Sequence, residues 1–117
     1  MQIDIQALNF PLTDALRERV RRRMGFALGG RDEHIQRVSV RLSDINGPKG
    51  GKDMCCQIRV ILEKEPDVLV KDIETDLYVA IDRASDRVGR SVARRLDRRI
   101  TRQRAPVSGD FGLTESM

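Results

Sequence analysis

Three consecutive stretches, IQRVSVRLS, CCQIRVILE and VLVKDIE, alternate apolar and polar residues with a period of two. Each reads as a strand with one apolar face. Val38, Val40 and Leu42 point inward from the first, with Ser39, Arg41 and Ser43 outward. Cys56, Ile58, Val60 and Leu62 point inward from the second, and Val68 and Val70 from the third. A sheet that is apolar on one side must be covered on that side, and helices are the cover the rest of the chain offers. The links support an antiparallel meander: DINGPKGGKD holds three glycines and a proline, and KEPD is a short turn.

The covering elements follow from the 3.6-residue period. QIDIQAL forms a first strand with Ile3, Ile5 and Ala7 on one face, broken by FPL. Thr13 caps the helix DALRERVRRRM, whose Leu16, Val20, Met24 and Ala27 fall on one side, and Gly29 and Gly30 supply its left-handed exit. A second, longer helix starts at about Thr75, read as its cap. The order β-α-β-β-β-α predicts an α+β fold, a four-stranded sheet with two helices packed on one face. Residues 1–104 make one domain, and the tail 105–117, without periodicity or basicity, is expected to be flexible.

At 117 residues the chain is large enough for a core of its own. MQIDIQALNF lacks the basic start and apolar run of a secretory signal, and no stretch approaches the roughly 18 apolar residues of a membrane span. The only cysteines, Cys55 and Cys56, are adjacent and cannot staple a loop. The expectation is a cytoplasmic protein without membrane contact.

Charge is unevenly placed. Residues 75–104 carry nine arginines against four aspartates, and residues 12–24 carry five arginines against Asp14 and Glu18. These two segments are +5 and +3, so the remainder of a chain of net charge +4 sums to −4. Concentration on two helices is the footprint of a polyanion partner. Arginine outnumbers lysine 18 to 4 and offers a planar fork for phosphate; a genomic preference for arginine codons would give the same ratio.

On the last helix Leu77, Ile81, Ala84, Val88, Val92 and Leu96 form the apolar stripe. Arg83, Arg87, Arg90, Arg94 and Arg98 cluster opposite, within roughly 80° at about 100° per residue. Asp82, Asp86 and Asp97 fall between, with Asp86 placed to tie down Arg90. A solvated helix face interleaves its signs, whereas like charges at this spacing repel, so the row makes sense if an anion relieves it. The four aromatics, Phe10, Phe26, Tyr78 and Phe111, do not pair on an exposed strand face, so no stacking platform for single strands is predicted. Strands separate the helices, which removes a helix-turn-helix. Structured RNA, gripped by backbone and shape, fits best.

Catalytic and metal readings find little. His34, the only histidine, sits at a strand's start with no nucleophile near it in sequence, and no second Cys or His pair completes a zinc set. Cys56 is read as core and Cys55 as half exposed. GPKGGK, Gly47 to Lys52, fails as a phosphate loop because three residues, not four, separate its glycines, Asp53 follows the lysine, and a strand comes next. It remains a connector or a basic loop that touches phosphate. No enzyme activity, cofactor, metal or small-molecule substrate is expected.

DLYVAIDRASDRVGRSVARRLDRR resembles the last helix of the ribosome hibernation promoting factor and ribosome-associated inhibitor family, the sigma factor modulation family, in its short form without a C-terminal dimerisation domain. The matching positions are Asp76, Tyr78, Ala80, Ile81, Asp82, Asp86, Arg87, Arg90 and Arg94. MQIDI and LTDALRERV, with Thr13, Ala15, Leu16 and Arg17, resemble the family's opening, and the likeness spans residues 1–104. It departs in the glycine-rich loop DINGPKGGKDMCC, longer than the family's hairpin, and in GFALGG, where the family usually continues with aromatic and basic residues. The resemblance implies a fold similar to double-stranded RNA-binding domains, and docking in the mRNA and tRNA channel of the small ribosomal subunit. There it implies inhibition of translation and preservation of idle ribosomes under stress.

Together these readings predict an rRNA-binding protein that uses Arg83, Arg87, Arg90, Arg94 and Arg98, with Arg17, Arg21, Arg22 and Arg23 extending the patch. Competing readings are a protein-interaction module with an acidic transcription or signalling partner, a divergent paralogue for another structured RNA, and an enzyme using Cys55.

Overall fold

The structure, a computed structural model, describes residues 2–45 and 53–104, and of residues 99–104 the backbone alone. The loop Gly47 to Lys52 and the tail 105–117 lie outside the described residues. The chain runs β1 (Gln2–Leu8), α1 (Asp14–Leu28), a 3-10 turn (Asp32–His34), β2 (Ile35–Asp44), β3 (Met54–Leu62), β4 (Val68–Glu74) and α2 (Leu77–Arg104). The sheet order is β1-β2-β3-β4. β2, β3 and β4 form the antiparallel meander that the alternation predicts. β1 lies parallel to β2, because the intervening helix carries the chain back over the sheet.

The register aligns the inward residues into rows. Ile5, Val40, Ile58 and Val70 form one row across all four strands, and Ile3, Val38, Val60 and Val68 the next. Val38, Val40, Leu42, Cys56, Ile58 and Val60 are all buried. α1 closes over them with Leu16, Val20, Met24 and Leu28, the last adding a fourth buried side chain to the expected face. Ala27 is only partly buried, packed against the edge of this core.

Local chemistry sets the element ends. Thr13 Oγ1 accepts from the Leu16 amide at 3.2 Å, capping α1 as expected. At its far end only Gly30 is left-handed, with φ +83°, whereas Gly29 has an ordinary φ of −59°. One reversed residue suffices to leave the helix. α2 begins one position later than expected: Asp76, not Thr75, is its cap, and Asp76 Oδ1 accepts from the Tyr78 amide at 2.8 Å. A carboxylate there gains from the helix dipole as well as from the hydrogen bond.

Cys55, expected to be half exposed, is instead buried at 3% exposure. β3 is an inner strand, and on its outward face Cys55 is flanked in register by Ser43 and Ile73. Between those neighbours so small a side chain is shaded from water. Both cysteines are free thiols, and burial, with Cys55 and Asp72 nearby, pushes the Cys56 thiol up to about 12.

Candidate nucleic-acid interface

α2 lies over β3 and β4, with α1 alongside it. Its stripe packs as expected: Ile81, Ala84, Val88, Val92 and Leu96 are buried and Leu77 partly so. Ala80 and Ser85 are buried too, because α1 and the sheet together enclose more of the helix than one stripe. Ser85 Oγ meets that burial by donating to the Ile81 carbonyl at 2.6 Å.

Arg83, Arg87, Arg90, Arg94 and Arg98 are all exposed and lie together along one side of α2. That side is not directly opposite the core, and its Arg83 and Arg87 are turned toward β4. Arg83 Nε lies 3.6 Å from Glu74, and Arg87 Nη1 donates to the Lys71 carbonyl at 2.8 Å and approaches Asp72 at 3.4 Å. Arg95, outside the row, donates to the Pro66 and Asp67 carbonyls at 2.7 and 3.1 Å. The N-terminal half of the row is thus partly balanced by the sheet. Arg90, Arg94 and Arg98 have no carboxylate partner among the described residues; Arg94 reaches only the Ser91 hydroxyl at 3.4 Å. The expected Asp86–Arg90 tie is absent among the described residues; both side chains are exposed, where so weak a pair has little to hold it.

On α1 the predicted residues divide. Arg17, Arg21 and Arg22 are exposed, Arg22 lying 3.5 Å from Glu18 one turn away. Arg23 is half-buried, and its Nε donates to Asp82 of α2 at 2.9 Å. The same carboxylate accepts from Arg19 Nε at 3.1 Å and Nη2 at 2.8 Å. Arg19 also lies over the Tyr78 ring, 5.3 Å from its centroid. Hydrogen bonds from Arg19, then the charge and hydrogen bond of Arg23, hold the Asp82 carboxyl below the usual range against the opposing effect of burial. Sequence reasoning missed this knot. Its signal was available in part: Arg19 and Arg23 are four apart on one helix, and Asp82 sits on the flank of the other.

Arg17 and Arg21 lie roughly 160° round the helix from Arg19 and Arg23, at about 100° per residue. They therefore project from the margin of α1 turned away from α2, while the α2 row borders β4. Between them runs a groove lined by Arg23, Phe26, Gly89 and Arg90, from which Phe26 stands 83% exposed. The helices meet closely there: a Cβ on Gly89 would stand 3.0 Å from the Ala27 carbonyl oxygen.

His34 lies 4.0 Å from Glu33, and no metal-binding group of three His, Cys, Asp or Glu occurs among the described residues. No helix among them is long and apolar enough to cross a membrane.

The profile of the family described as "Sigma 54 modulation protein / S30EA ribosomal protein" matches residues 3–100. Among solved structures, the N-terminal domain of Protein Y from Thermus thermophilus is 32% identical, with a TM-score of 0.67 over 80% of this chain and 98% of that one. A ribosomal subunit interface protein from Coxiella burnetii has the same fold at 18% identity, with a TM-score of 0.68 over 80% of this chain and 96% of that one. No match was found among curated proteins.

Proposed function

This chain belongs to the sigma 54 modulation protein / S30EA ribosomal protein family, and from that premise we propose that it is a translation inhibitor that binds the small ribosomal subunit and occludes the channel used by mRNA and tRNA. The observation that carries the reading is the row Arg90, Arg94 and Arg98: exposed guanidinium groups at one-turn spacing on a well-packed helix, without carboxylate partners among the described residues. Arg83 and Arg87 extend the row over β4, Arg17 and Arg21 add positive charge beyond the groove, and Arg22 adds charge beside Arg19 and Tyr78 near the start of α2. Arg23 contributes its field while its Nε is engaged by Asp82.

The chemistry is that of a plug. Guanidinium forks meet phosphate oxygens of folded rRNA without reading base sequence, and a rigid domain held there excludes a second polyanion from the same space. The name of the Coxiella burnetii neighbour, a ribosomal subunit interface protein, and the likeness to the hibernation factors support this placement.

Co-sedimentation with separated subunits at low and high salt is the test. The expected result is saturable binding to the small subunit, competed by mRNA and tRNA, and weakened steeply by salt, with each neutralised phosphate adding about 0.7–0.9 to the log–log slope. R90A/R94A lowers that affinity. Unchanged affinity in this variant removes the helix row from the interface, and a complex that persists after ribonuclease assigns the protein to a protein partner instead.

A further inference from the structure

Among the described residues no helix covers the sheet's outward face, and its centre carries a block that the two arginine-rich helices do not explain. In register, Ser39 of β2 stands beside Arg59 of β3, and Arg41 beside Gln57. The two arginines therefore occupy diagonal corners of a two-by-two square, with roughly 7–8 Å between diagonal neighbours on one sheet face. All four side chains line one shallow concavity. Each offers a hydrogen-bond donor, and none is acidic.

Like charges this close on a sheet oppose each other, yet neither Arg41 nor Arg59 has a carboxylate partner among the described residues. Of the strand residues that alternate onto this face only Asp4 is acidic, and it is engaged by Arg37 at 3.3 Å. Lys71, opposite Gln57 on β4, adds a further positive charge to the rim. Asp4 stands beside Ser39 in register but is paired with Arg37, and the two central arginines are left for something else.

We infer that Ser39, Arg41, Gln57 and Arg59 form a second phosphate-binding site, for the RNA backbone, on the face opposite the helices. This rests on the proposed function and sharpens it. A domain lodged in a channel walled by RNA meets polyanion on two sides, and this block gives the sheet side its own grip. Two guanidinium forks with a hydroxyl and an amide between them suit the tetrahedral oxygens of a phosphodiester.

The experiment measures small-subunit affinity against salt for the wild type, R41Q/R59Q, R37Q and R90A/R94A. R41Q/R59Q is expected to bind about tenfold more weakly, with a log–log salt slope reduced by about 0.7–0.9 for each phosphate no longer neutralised. R37Q, on the same face but with its charge already paired, stays at wild-type affinity. Gln57→Glu, which places a carboxylate between the arginines, weakens binding as R41Q/R59Q does. Arg37, Arg41, Gln57 and Arg59 lie on the solvent side of the sheet and Arg90 and Arg94 on the exposed side of α2, and unchanged thermal unfolding of each variant shows that binding and not folding has moved. Wild-type affinity and slope in R41Q/R59Q, with R90A/R94A weakened, overturn the sheet site alone. A wild-type protein that does not bind the subunit overturns this site and the parent reading together.

Discussion

Asp82 shows what single residues do here and why some could not be anticipated. Its position on the flank of α2 is plain from helical arithmetic, but its partners, Arg19 and Arg23, come from a helix about sixty positions away. Only packing of α1 beside α2 brings them together, so Arg23 looks like one more member of a basic patch until the helices are docked. The carboxyl is held below its unfolded range, so it stabilises the fold above that range and loses its contribution as pH falls through the folded value. Asp82→Asn is therefore expected to lower Tm by a few degrees at neutral pH and to shrink that deficit on acidification, checked by thermal unfolding across the acid range. Cys56 works in the opposite sense. Its thiol is raised from 9.0 to about 12, so stability present below pH 9 drains as pH rises toward 12. Cys56→Ala costs about 1–3 kcal/mol at neutral pH for the missing sulfur in a packed core. It should also flatten the alkaline fall seen in urea unfolding of the wild type.

At the scale of elements, the period-two runs and the α2 stripe were legible because burial on one face leaves its mark on each strand or helix separately. Leu16, Val20 and Met24 or Val38, Val40 and Leu42 need no knowledge of a partner to be placed. Helix starts were less legible: Thr75 and Asp76 are both good caps, and the choice depends on how β4 hands over to α2. The shading of Cys55 was hidden for a similar reason, since it depends on Ser43 and Ile73 standing beside it. The close approach of the helices yields a paired prediction. Gly25 has nothing within 4 Å of an added Cβ, so Gly25→Ala is expected to stabilise α1 by about 0.5–1 kcal/mol. Gly89→Ala gains the same propensity, but its methyl meets Ala27 at 3.0–3.1 Å and must part the helices. With overpacking costing about 1–3 kcal/mol, the net is a destabilisation of up to about 2 kcal/mol. Urea unfolding of both variants checks the pair; equal effects would mean that the α1–α2 packing yields freely. Along the row itself, R83A/R87A should lower stability slightly, because it removes the bonds from Arg83 and Arg87 to β4. R90A/R94A should leave stability unchanged and act on binding.

The whole molecule distributes charge in a way no segment count shows. Outside residues 12–24 and 75–104 the sequence sums to −4, yet that remainder contains Arg41 and Arg59 at the centre of an open sheet face. Alternation put each of them outward, but only register made them neighbours. Positive charge thus lies along α2 beside β4, at the free margin of α1 and on the open sheet. A body so charged is drawn toward a polyanion before the two touch, and long-range steering raises association rates by about 10 to 10³, falling steeply with ionic strength. If the proposed function holds, the association rate with the small subunit should fall by at least about tenfold between low and physiological salt. Dissociation should quicken more modestly, because charges already paired across the interface are shielded from ions. R90A/R94A, which removes two charges at the periphery of the fold, should lower the association rate and flatten its salt dependence. Stopped-flow measurement of both rates decides the matter: an association rate indifferent to salt, beside an affinity that is not, would place the whole electrostatic effect in the bound complex and leave no role for steering.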